Sequence, residues 1–405
     1  MMSEYERKLG SQGNMIKKIL YSLTLLAVLA RGAAGQEEQW LQYKTLALTD
    51  YSVIRNYNYL TVQPSLPAGA VKPELKSDKA IFAKWDCQLA PGKVLWMIID
   101  KASKYGSYNR LYIDSNGDGK FDEAPLIPSS AGSNYAQFDG VKIVFRTPDG
   151  PVTYHFHLNF RDYSEERALS LLSGCCYSGR VNIGGQEKYC RLIDYNCNGT
   201  FNDKSKDFET ADRILISSDA SLQKNVTTSS VGTYISIDNE FYQPEIAPDG
   251  ATIKFSPAKN MDFGMVRLSP DVKTFAAAGE NGLFSTMPIE GLVKLPVGTY
   301  RVYEWSMQRK DAAGKLWQVE GARATANFTF TVNKDAETAL EIGEPIKATL
   351  DVKRTQRTYS VNRKLVGKYG EQVLMLSSGA QPRAPKVNIK NEAGDYNKTY
   401  TLEYG

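Results

Sequence analysis

Histidine is almost missing from this chain, and so is any excess of charge. His155 and His157 are the only two histidines in 405 residues. The formal charge is +4, and the first 35 residues hold five Lys/Arg against two Asp/Glu, so the remainder is close to neutral. A neutral mature chain gives no electrostatic case for nucleic acid or an anionic membrane as partner. No G-x-S-x-G occurs, and no G-x-x-x-x-G-K-[ST]. The sequence signs of a serine hydrolase and of a phosphate-cradling loop are therefore both absent. Beyond residue 35 no apolar run approaches the ~20 residues that a membrane-spanning helix needs. Cysteine is sparse: Cys87, Cys175, Cys176, Cys190 and Cys197. Their spacing contains no C-x-x-C pair, which disfavours zinc. One or two local disulfides within Cys175–Cys197 are the expectation for an exported chain, with connectivity open and one thiol left over.

The N-terminus has the pattern of a secretory signal. Lys17 and Lys18 precede an apolar run from Ile19 to Leu29, and small residues come next at Gly32 to Gly35. A charged, an apolar and a small-residue region in that order mark an export signal, with cleavage expected near Gly35. The run is too short for a membrane anchor. Export to the periplasm, the outer surface or the medium is the expectation. Four N-x-[ST] triplets begin at Asn198, Asn225, Asn327 and Asn397. The Lys-Lys signal is bacterial in style, so glycosylation is discounted.

From residue 36 onward the chain is written in strand grammar. Tyrosine is heavily used, 24 copies against 15 Phe, and hydrophobic residues make up 42%. Aromatic and β-branched residues favour strands. Val141–Phe145 and Val152–Phe160 flank Pro148-Asp149-Gly150, which reads as a hairpin with Tyr154, Phe156, Leu158 and Phe160 on one face. His155 and His157 fall on the other face, and a solvent-facing or edge pair is expected there rather than a metal site. Pro248-Asp249-Gly250 and Asp311–Gly314 mark further turns. Ser164–Leu172 is the one segment that reads as a short helix, with Ser164 as cap and Glu165 and Glu166 in its first turn. The expected fold is mostly β, with tandem antiparallel β-sandwich domains and at most one short helix in the mature chain. The expected segments are 1–35, an N-terminal extension and signal peptide; 36–245, a β-rich domain; 246–340, a β-sandwich; and 341–405, a C-terminal β unit.

Two segments repeat nearly position for position. Asp114, Asn116, Asp118, Gly119, Lys120, Phe121, Asp122 and Glu123 match Asp194, Asn196, Asn198, Gly199, Thr200, Phe201, Asn202 and Asp203. The shared pattern is D-x-N-x-[DN]-G-x-F-[DN]-[ED]. Calcium is a hard cation that takes six to eight oxygens in loose geometry. Oxygens at the first, third and fifth positions of a tight turn can meet at one point, and the glycine after them permits the reversal. The main-chain carbonyl of Lys120 or Thr200 comes next, and Glu123 or Asp203 would close the sphere. Phe121 and Phe201 would pin the loops to the core. The second loop has fewer acids and is expected to bind more weakly. Calcium is the expected ion, in a structural role, and no catalytic residue is assigned.

The order of donors resembles the EF-hand and dockerin type of calcium loop over about ten residues each time. The twelfth position differs, being Pro125 and Ser205 rather than a bidentate Glu. On a wider scale Arg180–Gly185, Phe241–Gly250 and Leu295-Pro-Val-Gly-Thr-Tyr-Arg301 resemble exported bacterial β-sandwich proteins. The last of these is similar to the turn of prealbumin-like and carboxypeptidase-regulatory-like sandwiches. This resemblance implies fold and location. Trp305, Trp317, Tyr300 and Tyr303 lie together and offer a glycan platform, but Tyr303 and Trp305 alternate with polar neighbours as core-filling residues of a sandwich do, and the core is the better reading. The expected role is calcium-stabilised binding of a glycan or protein ligand, without nucleic acid. A polysaccharide-acting hydrolase with an unassigned carboxylate pair is the alternative.

Overall fold

The computed structural model describes residues 37–403 apart from 51–55, 125–126, 149, 164–165, 206, 208–209, 225, 323–327 and 357. The signal segment, Asn225, Asn327 and the closing Tyr404-Gly405 lie outside the described residues. The chain is mostly β, built of multiple antiparallel sheets. Among the described residues the only helical pieces are two single-turn 3-10 segments, Leu48–Asp50 and Pro91–Lys93. The chain divides into two compact units: residues up to 203 with 209–258, and residues 204–208 with 259–405.

The first unit contains one four-stranded and three five-stranded sheets. The hairpin expected around Pro148 is present: Tyr135–Thr147 pairs with Gly150–Tyr163, Thr147 standing opposite Gly150. Tyr154, Phe156, Leu158 and Phe160 are all buried on its inner face. The expected helix is not formed. Its described part belongs to the strand Glu166–Ser173, which continues the same sheet with Tyr163 opposite Glu166. The reason lies in burial on both sides of the strand: Leu169 and Leu171 face one way, Ser170 and Leu172 the other, and all four are buried. A short apolar run of that kind has no periodicity to separate strand from helix, and pairing decided it.

The core of this unit centres on Trp85, fully buried at the end of Ile81–Asp86. Its ring lies 5.4 Å from Phe156 and 5.8 Å from Tyr154. The indole N–H donates to the carbonyl of Cys197 at 2.8 Å, so the core reaches into the second Asp/Asn/Gly loop. Thr252–Pro257 and Glu240–Ile246 pair across Pro248–Gly250 and belong to the first unit.

The second unit is organised by an eight-stranded sheet. It runs through Val272–Gly279, Gly298–Lys310, Leu316–Ala322 and Gln372–Ser377 to the hairpin Thr358–Val366 with Lys347–Thr355. This pairing carries one sheet across residue 341, where the sequence suggested a boundary. Trp305 is buried in its core as expected, and Tyr300 is buried too, whereas Tyr303, expected in the core beside Trp305, is only partly buried, as is Trp317. Trp305 stands directly opposite Gly321. A Cβ at Gly321 would lie 2.2 Å from the indole ring. Glycine is required there by close approach, not by backbone dihedral angle. Gly321→Ala should therefore destabilise the chain by about 1–3 kcal/mol through overpacking. The check is thermal melting, with the double variant W305F/G321A recovering part of the loss because the two sites are coupled. Additive losses would contradict this account.

Candidate metal centre

The second loop leaves the strand Gln186–Ile193 directly at Asp194, which has no exposed surface. Asp194 Oδ1 accepts from the Asn198 N–H at 3.1 Å. Its Oδ2 accepts from the Gly199 N–H and from the Tyr154 hydroxyl, both at 2.7 Å. The first acid of the turn thus closes the turn around itself. Gly199 has φ +99°, and a Cβ there would meet Cys87 Sγ at 2.8 Å, so dihedral and space both demand glycine.

The polar side chains of this loop bond to one another and to the main chain of the turn. Asn196 Oδ1 accepts from the Asn198 N–H. Asp203 Oδ2 accepts from Asn196 Nδ2 at 3.3 Å and from Thr200 Oγ1 at 2.9 Å. Thr200 Oγ1 also lies 2.8 Å from Asn198 Oδ1. Asn196, Asn198, Thr200 and Asp203 are therefore linked through shared partners. Asn198 is the head of an N-x-[ST] triplet whose Thr200 hydroxyl is already bound to it. Phe201 is 2% exposed and packs edge-on against Tyr177, pinning the loop as its pattern suggested.

Asp212 was not legible as part of this site. It lies fully buried just before the strand Arg213–Ser217. Its Oδ1 accepts from the Tyr195 N–H at 3.1 Å and its Oδ2 from the Asp203 N–H at 2.8 Å. It braces both ends of the loop from behind. No spacing rule connects it to the motif. Tyr154 was visible only as a core position of its hairpin.

The first loop has the same turn in a shallower setting. Asp114 Oδ2 accepts from the Gly119 N–H at 3.1 Å, while Asp114 Oδ1 is buried with no hydrogen-bond partner. Asn116 Oδ1 accepts from the Asp118 N–H, and Asp118 Oδ1 from the Lys120 N–H at 2.8 Å. That last bond holds the Asp118 carboxyl below its ordinary range. Asn116, Asp118 and Lys120 are exposed or partly so, and Phe121 is only partly buried. Glu123 is not brought to the turn. It forms a two-pronged ion pair with Arg110 on the adjacent strand, both contacts at 2.7 Å, which depresses its carboxyl pKa. The two loops share a neighbour in the Cys87–Lys93 connection: the Gln88 N–H donates to Asn198 O, and Gly117 lies against Pro91.

Electrostatics separate the two loops. Burial pushes the Asp194 carboxyl up to about 7, with the charge of Asp203 adding to it and three donated hydrogen bonds opposing. Asp212 is raised too, by burial first and then by the charges of Asp194 and Asp203. Buried carboxyls of this kind hold protons unless positive charge is supplied beside them. The donors are carboxylate, amide and main-chain oxygens, the set that suits a hard divalent cation. Among the described residues no three His, Cys, Asp or Glu side chains are arranged together as metal ligands, so any ion here would draw on amide and main-chain oxygen as well.

The other candidate residues are placed elsewhere. His157 is not solvent-facing: it is 2% exposed, accepts from the Gly140 N–H at Nδ1 and lies 3.0 Å from Leu46 O at Nε2. His155 is half-buried against the Tyr43 hydroxyl at 2.5 Å. The buried face arises because the strand is covered on both sides. All five cysteines are buried free thiols, contrary to the expected local bridges. Cys175 and Cys176 are consecutive on one strand and enter different clusters, while Gly179 stands opposite Cys190.

The fold and the duplicated turns define a two-unit, all-β protein with one buried and one surface-exposed Asp/Asn/Gly loop. Comparison with protein-family models, curated proteins and solved structures finds no match.

The raised carboxyls set a pH dependence. A carboxyl raised in the folded state favours folding while it is protonated. Its contribution is full below about pH 4, the unfolded value, and is lost as pH rises through about 7. In chelator the melting temperature should therefore fall between about pH 5 and pH 8, and Asp194→Asn should flatten the fall. An identical slope in the variant would remove Asp194 as its source.

Proposed function

We propose that this chain is an exported β protein stabilised by calcium and acting by binding, in the periplasm, on the outer surface or in the medium. The observation that carries the reading is the pair of fully buried carboxyls, Asp194 and Asp212, that hold the second loop, with the charge of Asp203 acting on both. The ion would be held by Asp194, Asn196, Asn198, the Thr200 carbonyl and Asp203, with Asp212 bracing. When bound it would supply the charge that lets these carboxylates stay ionised at neutral pH. The orphaned Asp114 Oδ1 supports a second, shallower place with Asn116, Asp118 and the Lys120 carbonyl. Glu123 would have to leave Arg110 to join it. Burial and the mutually bonded side chains favour the second loop as the tighter one, reversing the order that acid content alone suggested. The Cys197 thiol within the loop is pushed up by burial, which supports a structural ion. The Lys17–Leu29 signal pattern supports export.

Metal analysis of the purified mature protein should find calcium. Calcium in excess over chelator should raise the melting temperature by about 3–8 °C, the scale of a few kcal/mol of linkage. Asp194→Ala should abolish most of that rise and Asp114→Ala a smaller part. A protein that carries no metal and melts alike in calcium and chelator would sink the proposal.

A second reading, a polysaccharide-acting hydrolase, has one observation in its favour. Glu304 and Glu320 line a cleft of about 640 Å³ on the eight-stranded sheet, with Thr274, Ser306 and Gln318. Partial desolvation and then the charge of Glu320 raise the Glu304 carboxyl. A carboxyl raised by burial with a second carboxyl beside it suits a general acid. If this reading holds, Glu304→Gln and Glu320→Gln should each abolish release of reducing ends from a polysaccharide. Absence of any such release by the unaltered protein leaves the binding reading.

A further inference from the structure

The second unit ends in two hairpins whose facing surfaces are unusually apolar for exposed sheet. Lys347–Thr355 pairs with Thr358–Val366, and Lys386–Lys390 with Asn397–Thr401. Between them lies a cleft of about 810 Å³. Its aliphatic lining includes Leu350, Val352, Val361, Val387 and Ile389, and its aromatic lining is Tyr359, Tyr396 and Tyr400. These are not core residues: Leu350 is 52% exposed, Val352 56% and Tyr359 58%. A contiguous exposed apolar surface is informative where a scattered apolar residue is not.

Basic residues outnumber acidic ones in these hairpins. Residues 347–366 and 386–401 together hold nine Lys/Arg against three Asp/Glu. The register puts Leu350 opposite Arg363, Val352 opposite Val361, and Arg354 opposite Tyr359. Cross-strand partners share a face, so Arg354 and Arg363 stand on the cleft side. Asp351, the acid of that hairpin, is on the other side with Lys364, 3.7 Å away. In the second hairpin Ile389 stands opposite Lys398 and Val387 opposite Tyr400, which puts Lys398 on the aromatic face. The guanidinium of Arg354 lies 5.6 Å from the Tyr359 ring centre, and Lys398 Nζ lies 5.6 Å from that of Tyr396. Lys390 also lines the cleft, and none of the lining residues is acidic. Near neutrality of the whole chain hides this local excess.

We infer that the cleft between these hairpins binds an anionic polysaccharide, a chain of pyranose rings bearing carboxylate groups. The apolar C–H faces of such rings suit tyrosine faces. The ring hydroxyls meet the Tyr396 and Tyr400 hydroxyls, which are 2.5 Å apart. The carboxylates meet Arg354 and Lys398, which stand beside the tyrosines. A second copy of this surface is a poor occupant, because two cationic faces repel. A flat bilayer does not enter a concave cleft. The inference rests on reading the chain as a binding protein, and it does not rest on the ion, which belongs to the other unit.

The test uses the full mature protein and short oligogalacturonates, titrated calorimetrically against their methyl esters, single-stranded oligothymidylate and anionic phospholipid vesicles. Oligogalacturonate should bind, and its methyl ester should bind about tenfold or more weakly. Tyr400→Ala and Tyr359→Ala should each weaken binding about tenfold, the scale of one aromatic anchor, with melting temperature unchanged because both positions are exposed. Arg354→Gln should weaken the acid and leave the ester unaffected. Chelator should leave oligogalacturonate binding intact below the melting temperature, so that loss of the calcium effect and loss of this binding are separate results. No binding, equal binding of acid and ester, or tighter binding of oligothymidylate or vesicles would each overturn the inference.

Discussion

A carboxyl group with no exposed surface, Asp194, is where packing and electrostatics of the first unit meet. It accepts hydrogen bonds from the loop it begins and from Tyr154, a core residue of the long hairpin. Trp85 holds the same loop by its indole N–H, and Phe201 inserts beside Tyr154 and Tyr177. The loop is therefore a wall of the core. Charge on that carboxyl is felt by the packing, and the packing raises the energy of that charge. Asp212 deepens the constraint by tying both ends of the loop through its own buried oxygens.

The repeat shows how far a shared motif is from a shared environment. Both loops begin with an acid that receives the N–H of the glycine five residues on. One is roofed by core aromatics. The other opens to solvent, and its last acid belongs to Arg110. A motif of ten residues specifies the turn and its donors. It does not specify depth, which decides how strongly a carboxylate needs a cation.

The second unit separates its aromatics by role. Trp305 and Tyr300 fill the interior of the large sheet, and Gly321 makes room for the indole. Tyr359, Tyr396 and Tyr400 stay outside, among cations that share their face. Exposed aromatics spaced between basic residues cost solubility unless something covers them, and the excess of basic residues in these hairpins favours anions there.

Strand content, the hairpin at Pro148–Gly150, the turns and the duplicated loops are local properties, written in alternation and in turn residues, and they were legible in the amino-acid sequence. The core role of Trp305 could be argued there too, while Tyr303, argued with it, is only partly buried. The segment Glu166–Ser173 could not, because a strand buried on both faces has no period to read and pairing alone makes it β. Nor could the burial of His157, which depends on what covers the far side of its strand. Asp212 joins the site and Glu123 leaves it through contacts with other strands. Those contacts, together with the depth of each loop and the facing of two basic hairpins, are set only when distant segments pack, since a side chain's charge state and partners depend on what surrounds it in space.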